Sequence, residues 1–270
     1  MKIKPDVILS FGGFVAFPII VIGYFLKIPI IIHEQTHASG VTNKYSSFFA
    51  KKIAIARSQS FNFFPMEKTV LVGNPVSRRM FSVRPKRHIG TSPCLFITGG
   101  SRGSQTINSL IERILPRLIK KYNILHHTGY LDFPKFLKLK EDLSETLKKR
   151  YEVFGNIDPL KIQETYYKSD IIVARSGANT VSEIMAIKRP AILIPLAISQ
   201  GGEQEKNALF AKKFGVAEVL DEKGLTPEKL FENIENVRKN WNVIVARVKN
   251  KKSDGENFVH LGRAHDRFAF

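Results

Sequence analysis

Cysteine is all but missing from this chain. Cys94 is the only one in 270 residues, which excludes an internal disulfide framework and fits a reducing compartment. Acidic residues are scarce beside basic ones, 24 Asp and Glu against 42 Lys and Arg, a formal charge of +18. Such a surface attracts polyanions: nucleic acid, anionic phospholipid or a phosphorylated substrate. The apolar run ending at Leu26 resembles a leader or anchor only superficially. Pro5, Asp6, Gly12-Gly13 and Pro18 interrupt it, and Lys27 with Pro29 ends it short of the ~20 apolar residues that a spanning helix needs. There is no Walker lysine-serine loop either. With 43% hydrophobic and 24% charged residues the chain is globular, long enough for two α/β domains.

The stretch that organises the rest is DIIVARSGANTVSEI, residues 170–184. Its apolar run, Ile171 to Ala174, reads as a strand buried on both faces, as in parallel sheets. A small-residue turn follows, then Val181, Ile184 and Met185 at helical spacing, with Asn179 or Thr180 as the expected N-cap. Unpaired N–H groups at such a helix start favour an anion, above all a phosphate. Gly177 admits a ligand close to the backbone, and Ser176 and Thr180 add hydroxyl donors. An ordinary strand-to-helix turn explains the same stretch taken alone.

Similar units lie on either side of it. Residues 6–10, 16–27 and 29–33 read as strand, helix and strand, a βαβ unit whose Phe11, Phe14, Phe17, Ile20, Tyr24 and Phe25 exceed what one sheet face requires. His33, Glu34 and His37 then fall at a strand's carboxyl end, where open α/β sheets place ligand groups, and are acid/base candidates. Metal ligation by the two histidines lacks a third ligand at suitable spacing, and Glu34 and Gln35 equally suit local turn bonds. A helix over 43–51 and strands over 53–56 and 70–72 come next. Residues 83–93 read as a linker between domains at 1–82 and 94–248, with a tail at 249–270 that takes no assignment. The second domain opens with a strand over 94–98, the glycine-rich turn GGSRGS and a helix bearing Ile107, Leu110, Ile111 and Ile114 on one face. Further on come a basic helix over 134–150, a helix over 158–168, a strand over 191–195 and a helix over 204–214. Glycine loops or polar helix starts thus succeed several strands, which strengthens the phosphate reading.

The motifs FGGF, HEQ…G-x-TNK, VGNPV, GGSRGS…N, RSGANTVSE and QxxNA, in this order from residue 4 to at least 219, resemble the MurG family, bacterial glycosyltransferases that convert lipid I to lipid II in peptidoglycan synthesis and so serve cell-wall biogenesis, cell shape and division. The resemblance implies an α/β GT-B fold, two Rossmann-like domains with parallel sheets facing a cleft. The C-terminal one holds UDP-N-acetylglucosamine and the N-terminal one faces lipid I, peripherally at the cytoplasmic side of the membrane. It implies inversion without metal or other cofactor, and no D-x-D triplet occurs here. Ser101, beside Gly100, falls where the family's serine meets the diphosphate, and Gly100 together with Ser176, Gly177 and Ala178 at the helix start of the RSGANTVSE motif are expected donor-binding positions. Ile157 falls where a backbone group reads uracil, Glu183 on the acid that binds the ribose hydroxyls, and Gln204 on a glutamine contacting the sugar, with Asn207 in the same motif. Thr36 replaces the family's asparagine after HEQ, keeping a hydroxyl but losing the amide. Ser77 occupies the place of an arginine, so Arg78 must shift by one to serve. The family's first glycine-rich loop, with its histidine, has no counterpart here. The N-terminal domain is therefore expected to be incomplete, the chain to bind donor while transferring it poorly, and His33 to be the base by elimination. A UDP-sugar epimerase of the same fold is the nearest alternative enzyme, disfavoured by HEQ and RSGANTVSE. A non-catalytic basic protein binding nucleic acid or membrane would interleave cations with exposed aromatics, whereas here lysines are spread over helices such as 135–149. Nucleic acid is therefore not an expected partner.

Overall fold

The computed structural model describes residues 4–36 and 39–253. They divide into two compact units, the first made of the residues up to Val76 together with Ser253 and the second running from Ser77 to Lys252.

In the first unit, β1 (Ile8–Ser10), β2 (Ile30–Glu34), β3 (Lys52–Ile55) and β4 (Thr69–Leu71) form a parallel sheet in that order. Ile30, Ile32, Ile53 and Ile55 make its buried face, joined by Phe64 and by Ile20 of helix α1 (Ala16–Phe25). Gly23 lets α1 lie close on β1: a Cβ there would stand 2.2 Å from Cδ1 of Ile8. Helix α2 (Val41–Ser46) starts and stops earlier than the expected 43–51. Gly40 enters it in extended conformation, and the hydroxyl of Ser47 bonds back to the Lys44 carbonyl at 2.6 Å, where the helix ends.

The second unit is a doubly wound parallel sheet. Its strands are β5 (Cys94–Thr98), β6 (Asn123–His127), β7 (Tyr151–Phe154), β8 (Ile171–Ala174), β9 (Ala191–Leu193) and β10 (Ala217–Val219). Their spatial order is β10-β9-β8-β5-β6-β7. The chain winds outward from β5 to β7, returns to β8 beside β5, then winds out the other way. The switch point therefore lies between β5 and β8, and the crevice outside their carboxyl ends is where such sheets bind ligands. Helices α3 (Gln105–Leu118), α4 (Phe133–Glu141), α5 (Glu145–Lys148), α6 (Ile162–Lys168), α7 (Ala178–Ile187), α8 (Glu203–Phe214), α9 (Pro227–Lys239) and α10 (Trp241–Val248) flank it. The expected basic helix over 134–150 is two helices, α4 and α5, because Ser144 takes an extended conformation between them. Every residue of β8 is fully buried, as its apolar run implies.

Residues 77–93 pack onto the second unit. Met80 and Val83 are buried, Lys86 bonds the Asp170 carboxylate at 2.7 Å, and Arg189 holds the Arg84 carbonyl at 3.0 Å. The second unit thus begins at Ser77, earlier than position 82. Expectations at His37 and in the tail beyond residue 253 lie outside the described residues.

Candidate functional site

Two turns meet the switch point of the second sheet. The first, 99–104, leaves β5. Gly100 and Gly103 have φ of +83° and +78°, and a Cβ on Gly103 would stand 2.0 Å from the Thr128 carbonyl oxygen, so only glycine fits. The Gly100 amide donates to Thr98 Oγ1 at 3.1 Å. Ser104 caps α3, its hydroxyl accepting from the Ile107 amide at 3.4 Å, and Ser101 is exposed at the turn's tip.

The second turn, 175–177, leaves β8. Helix α7 begins at Ala178 with Gly177 as N-cap, not at Asn179 or Thr180, because Gly177 already has the extended conformation that starts the helix. Space above Gly177 is open: a Cβ there would meet nothing within 4 Å. Ser176 is buried and donates to the Gln204 carbonyl at 2.7 Å. Asn207, also buried, donates to the Ser176 carbonyl at 3.2 Å. These two side chains thus tie the turn to α8.

The spacing Thr180-x-x-Glu183 matches a capping box, and the earlier helix start rules that box out. Thr180 lies inside the first turn and Glu183 a full turn further. Glu183 instead accepts from the Tyr166 hydroxyl at 2.9 Å. Burial pushes its carboxyl up to about 7, opposed by the Tyr166 bond. Gln204 accepts from the Leu196 amide at 3.1 Å, leaving its amide nitrogen to donate. Ile157 lies in the turn after β7. Arg78 is exposed on a 3-10 turn, Arg78–Ser82, while its neighbour Arg79 reaches the Leu160 carbonyl at 2.8 Å.

The first unit gathers its own polar cluster at the end of β2. The Glu34 carboxylate accepts from the Thr36 hydroxyl at 2.9 Å, the Gly40 amide at 3.0 Å and the Asn43 amide nitrogen at 3.0 Å. It organises the loop, and the Thr36 hydroxyl is spent on it. His33 is 2% exposed. Its Nε2 lies 3.1 Å from the Gly73 carbonyl, and burial lowers its pKa, so the ring is neutral.

Arg175 and Tyr166 have no assignment from the sequence. A buried arginine closing an apolar strand is a signal for the first. Nothing local points from Tyr166 to Glu183, seventeen positions later.

Residues 94–260 match the glycosyltransferase family 28 C-terminal domain and residues 1–55 its N-terminal domain. The UDP-N-acetylglucosamine–N-acetylmuramyl-(pentapeptide) pyrophosphoryl-undecaprenol N-acetylglucosamine transferase of Clostridium botulinum (strain 657 / Type Ba4) is 31% identical over 262 residues, 94% of this chain and 71% of the relative. The chain belongs to the MurG family of glycosyltransferases. The transferase of the same name from Bacillus cytotoxicus is 33% identical over 250 residues, 87% of this chain and 66% of that one. Acinetobacter baumannii MurG superposes with a TM-score of 0.71 at 26% identity, covering 96% of this chain and 73% of the other. A UDP-GlcNAc 2-epimerase from Methanocaldococcus jannaschii, at 14% identity and a TM-score of 0.60 over 96% of this chain and 75% of its own, shares the fold alone. The fold is GT-B, and this member of the MurG family is a hexosyltransferase.

Proposed function

We propose that this chain transfers N-acetylglucosamine from UDP-N-acetylglucosamine to undecaprenyl-diphospho-N-acetylmuramoyl-pentapeptide, inverting the anomeric centre without a metal. What carries the reading is the pair of turns at the switch point, 99–104 and 175–177, each opening a helix, within the sequence that matches family 28. In this reading Gly100, Ser101, Gly177 and Ala178 receive the diphosphate. The two helix dipoles stabilise the negative charge that grows on it as the glycosidic bond breaks. Ile157 offers backbone to uracil, Glu183 accepts the ribose hydroxyls, and Gln204 donates to the sugar, with Arg78 as a further donor contact. Ser176 and Asn207 serve by holding the second turn. The acceptor hydroxyl attacks the anomeric carbon, UDP leaves, and a base takes the proton. His33 is the candidate for it: neutral, with one nitrogen directed to Gly73, it has the protonation state a base requires.

The acceptor is lipid-linked, and the first unit suits a membrane surface. Helix α1 carries no charge and buries only Ile20 and Gly23. Phe14 before it is 89% exposed, and Phe25 and Phe48 about three-quarters exposed. A cavity of about 760 Å³ is lined by Tyr24, Phe25 and Phe48 together with Lys27, Lys51 and Lys68. Aromatics beside lysines fit the anionic cytoplasmic face of a membrane. Among the described residues no helix is long and apolar enough to cross one. Calorimetric titration with UDP-N-acetylglucosamine, and transfer of radiolabelled sugar to a lipid I analogue on anionic vesicles, test the proposal. Donor binding with only slow formation of a β-linked product is expected; a chain that ignores the donor at millimolar concentration overturns the proposal.

A further inference from the structure

Arg175 closes β8 and is buried, yet its guanidinium does not point at open space. Its Nε donates to Ser104 Oγ at 3.1 Å, and Nη1 to the carbonyls of Ile194 and Pro195, both at 3.2 Å. Its Nη2 pairs with the carboxylate of Glu222, three residues beyond β10. The second Glu222 oxygen accepts from the Ala197 amide at 2.8 Å. One ion pair therefore joins the carboxyl-end turns of four neighbouring strands: the cap of α3 after β5, the end of β8, the exit from β9 and the turn after β10.

The segment most dependent on that pair is residues 196–203. It contains one short 3-10 turn, Gln200–Gly202. Gly201 and Gly202 have φ of +61° and +66°, and Ile198 is fully out in solvent. Its stem is pinned at two amides, Leu196 to Gln204 Oε1 and Ala197 to Glu222, while Arg175 grips the carbonyls just before it. Removing Glu222 would leave the Arg175 charge buried without a counter-ion, a costly state that the guanidinium relieves only by turning away. Both carbonyl bonds and the Ala197 anchor would go together. The glycine-rich turn would lose less, because Ser104 still caps Ile107.

We propose that Glu222 is a positioning residue: through Arg175 and Ala197 it holds residues 196–203 and Gln204 in the arrangement that receives the sugar of a nucleoside diphosphate sugar. This rests on the donor-site reading above. The groups assigned to uracil and ribose do not hang on Glu222, and turn 99–104 keeps the Ser104 cap on Ile107, so its loss should weaken sugar binding more than nucleotide binding. The full 270-residue chain and its Glu222→Gln and Glu222→Ala variants are titrated with UDP-N-acetylglucosamine and with UDP, well below their melting temperatures. Amide exchange is followed over residues 196–203. Glu222→Gln keeps an acceptor for Ala197 and loses the charge, so its UDP-N-acetylglucosamine affinity is expected to fall about five- to tenfold, with UDP binding within about twofold of wild type. Glu222→Ala should lose more and exchange faster in the segment. Equal losses for both ligands, or unchanged exchange with unchanged sugar affinity, overturn the proposal. A wild-type chain that binds neither ligand instead overturns the donor-site reading, and this inference falls with it.

Discussion

Helices α1 and α3 each come after a parallel strand and a glycine-bearing turn, and they are built for different surroundings. Helix α3 buries Ile107, Leu110, Ile111, Ile114, Leu115 and Leu118 on one side and turns Glu112, Arg113 and Arg117 outward. Helix α1 buries only Ile20 and Gly23, yet the residues left outside include Ile19, Ile22, Tyr24 and Phe25. Packing against a sheet needs one apolar stripe, and α3 has no more than that. Tyr24 meets the Phe49 ring edge-on at 5.3 Å, but Ile19, Ile22 and Phe25 stay more than half exposed, an apolar surface beyond what packing on the sheet requires. The same fold grammar thus yields one helix finished against water and one left with an apolar outer face, the face that the proposed membrane contact would use.

If the second unit is completed by its own core, a cut there should have the largest effect. Trp241 is fully buried, and its indole N–H donates to the Asp170 carbonyl at 2.8 Å. Asp170 in turn receives the Cys94 amide and the Lys86 ammonium, both at 2.7 Å. Trp241→Ala is expected to cost about 3–5 kcal/mol, read by urea unfolding, with vesicle binding at low temperature unchanged. A loss below about 1 kcal/mol would mean that this core is not what holds the unit together.

The next effect is at the site. Glu183→Ala should weaken UDP binding about ten- to a hundredfold, the equivalent of a lost charge-assisted bond of about 1.5–3 kcal/mol. The wild type gives an independent check through pH. Burial raises the Glu183 carboxyl from 4.5 to about 7, so its protonated form is the more stable one in the fold. That contribution is fully present below pH 4.5 and is lost as pH rises through about 7. Acceptance of two hydroxyls needs the ionised form, so UDP affinity should do the opposite and fall as the pH drops below 7. Calorimetry at several pH values should show proton release on binding, absent in Glu183→Ala. A flat profile in the wild type would remove the ribose role.

Much of the fold is legible in the sequence, for physical reasons. Strands β5 and β8 are continuous apolar runs because they are covered on both faces, and that pattern is local. Turn 99–104 shows itself because close backbone approach tolerates only glycine. Helix ends are less legible. Gly177, with no side chain to cap with, takes the N-cap position from Asn179 and Thr180, since the backbone conformation and not a hydroxyl begins that helix. Bonds between distant residues are not legible at all. Arg175 and Glu222 stand 47 positions apart, and only the strand order brings the end of β8 within reach of the turn after β10. The segment 83–93 reads as a linker for want of periodicity, while its contacts with the fold are made by single residues: Lys86 meets Asp170, 84 positions on, and the Arg84 carbonyl meets Arg189, 105 positions on.

The smallest expected change in folding stability is also the sharpest test of the contrast between the two helices. Phe14 and Phe25 are exposed, so replacing both with serine should alter folding stability by less than ~0.5 kcal/mol each, as for other surface positions. Vesicle partition should respond differently. Full burial of a phenylalanine is worth about 1.5–3 kcal/mol, and even half of the lower figure at each position makes about tenfold in partition. Ile20→Ala on the same helix supplies the converse, since Ile20 faces the sheet: the unit should melt earlier while vesicle binding at low temperature persists. The electrostatic share is separated by salt, because attraction between lysines and anionic headgroups is screened over about 8–10 Å at ordinary ionic strength whereas aromatic insertion is not. Co-sedimentation with anionic vesicles should therefore fall in high salt for the wild type and start lower for the double variant. If Phe14→Ser/Phe25→Ser sediments like the wild type at every salt concentration, the outer face of α1 does not meet the membrane, and the contrast with α3 is one of composition alone.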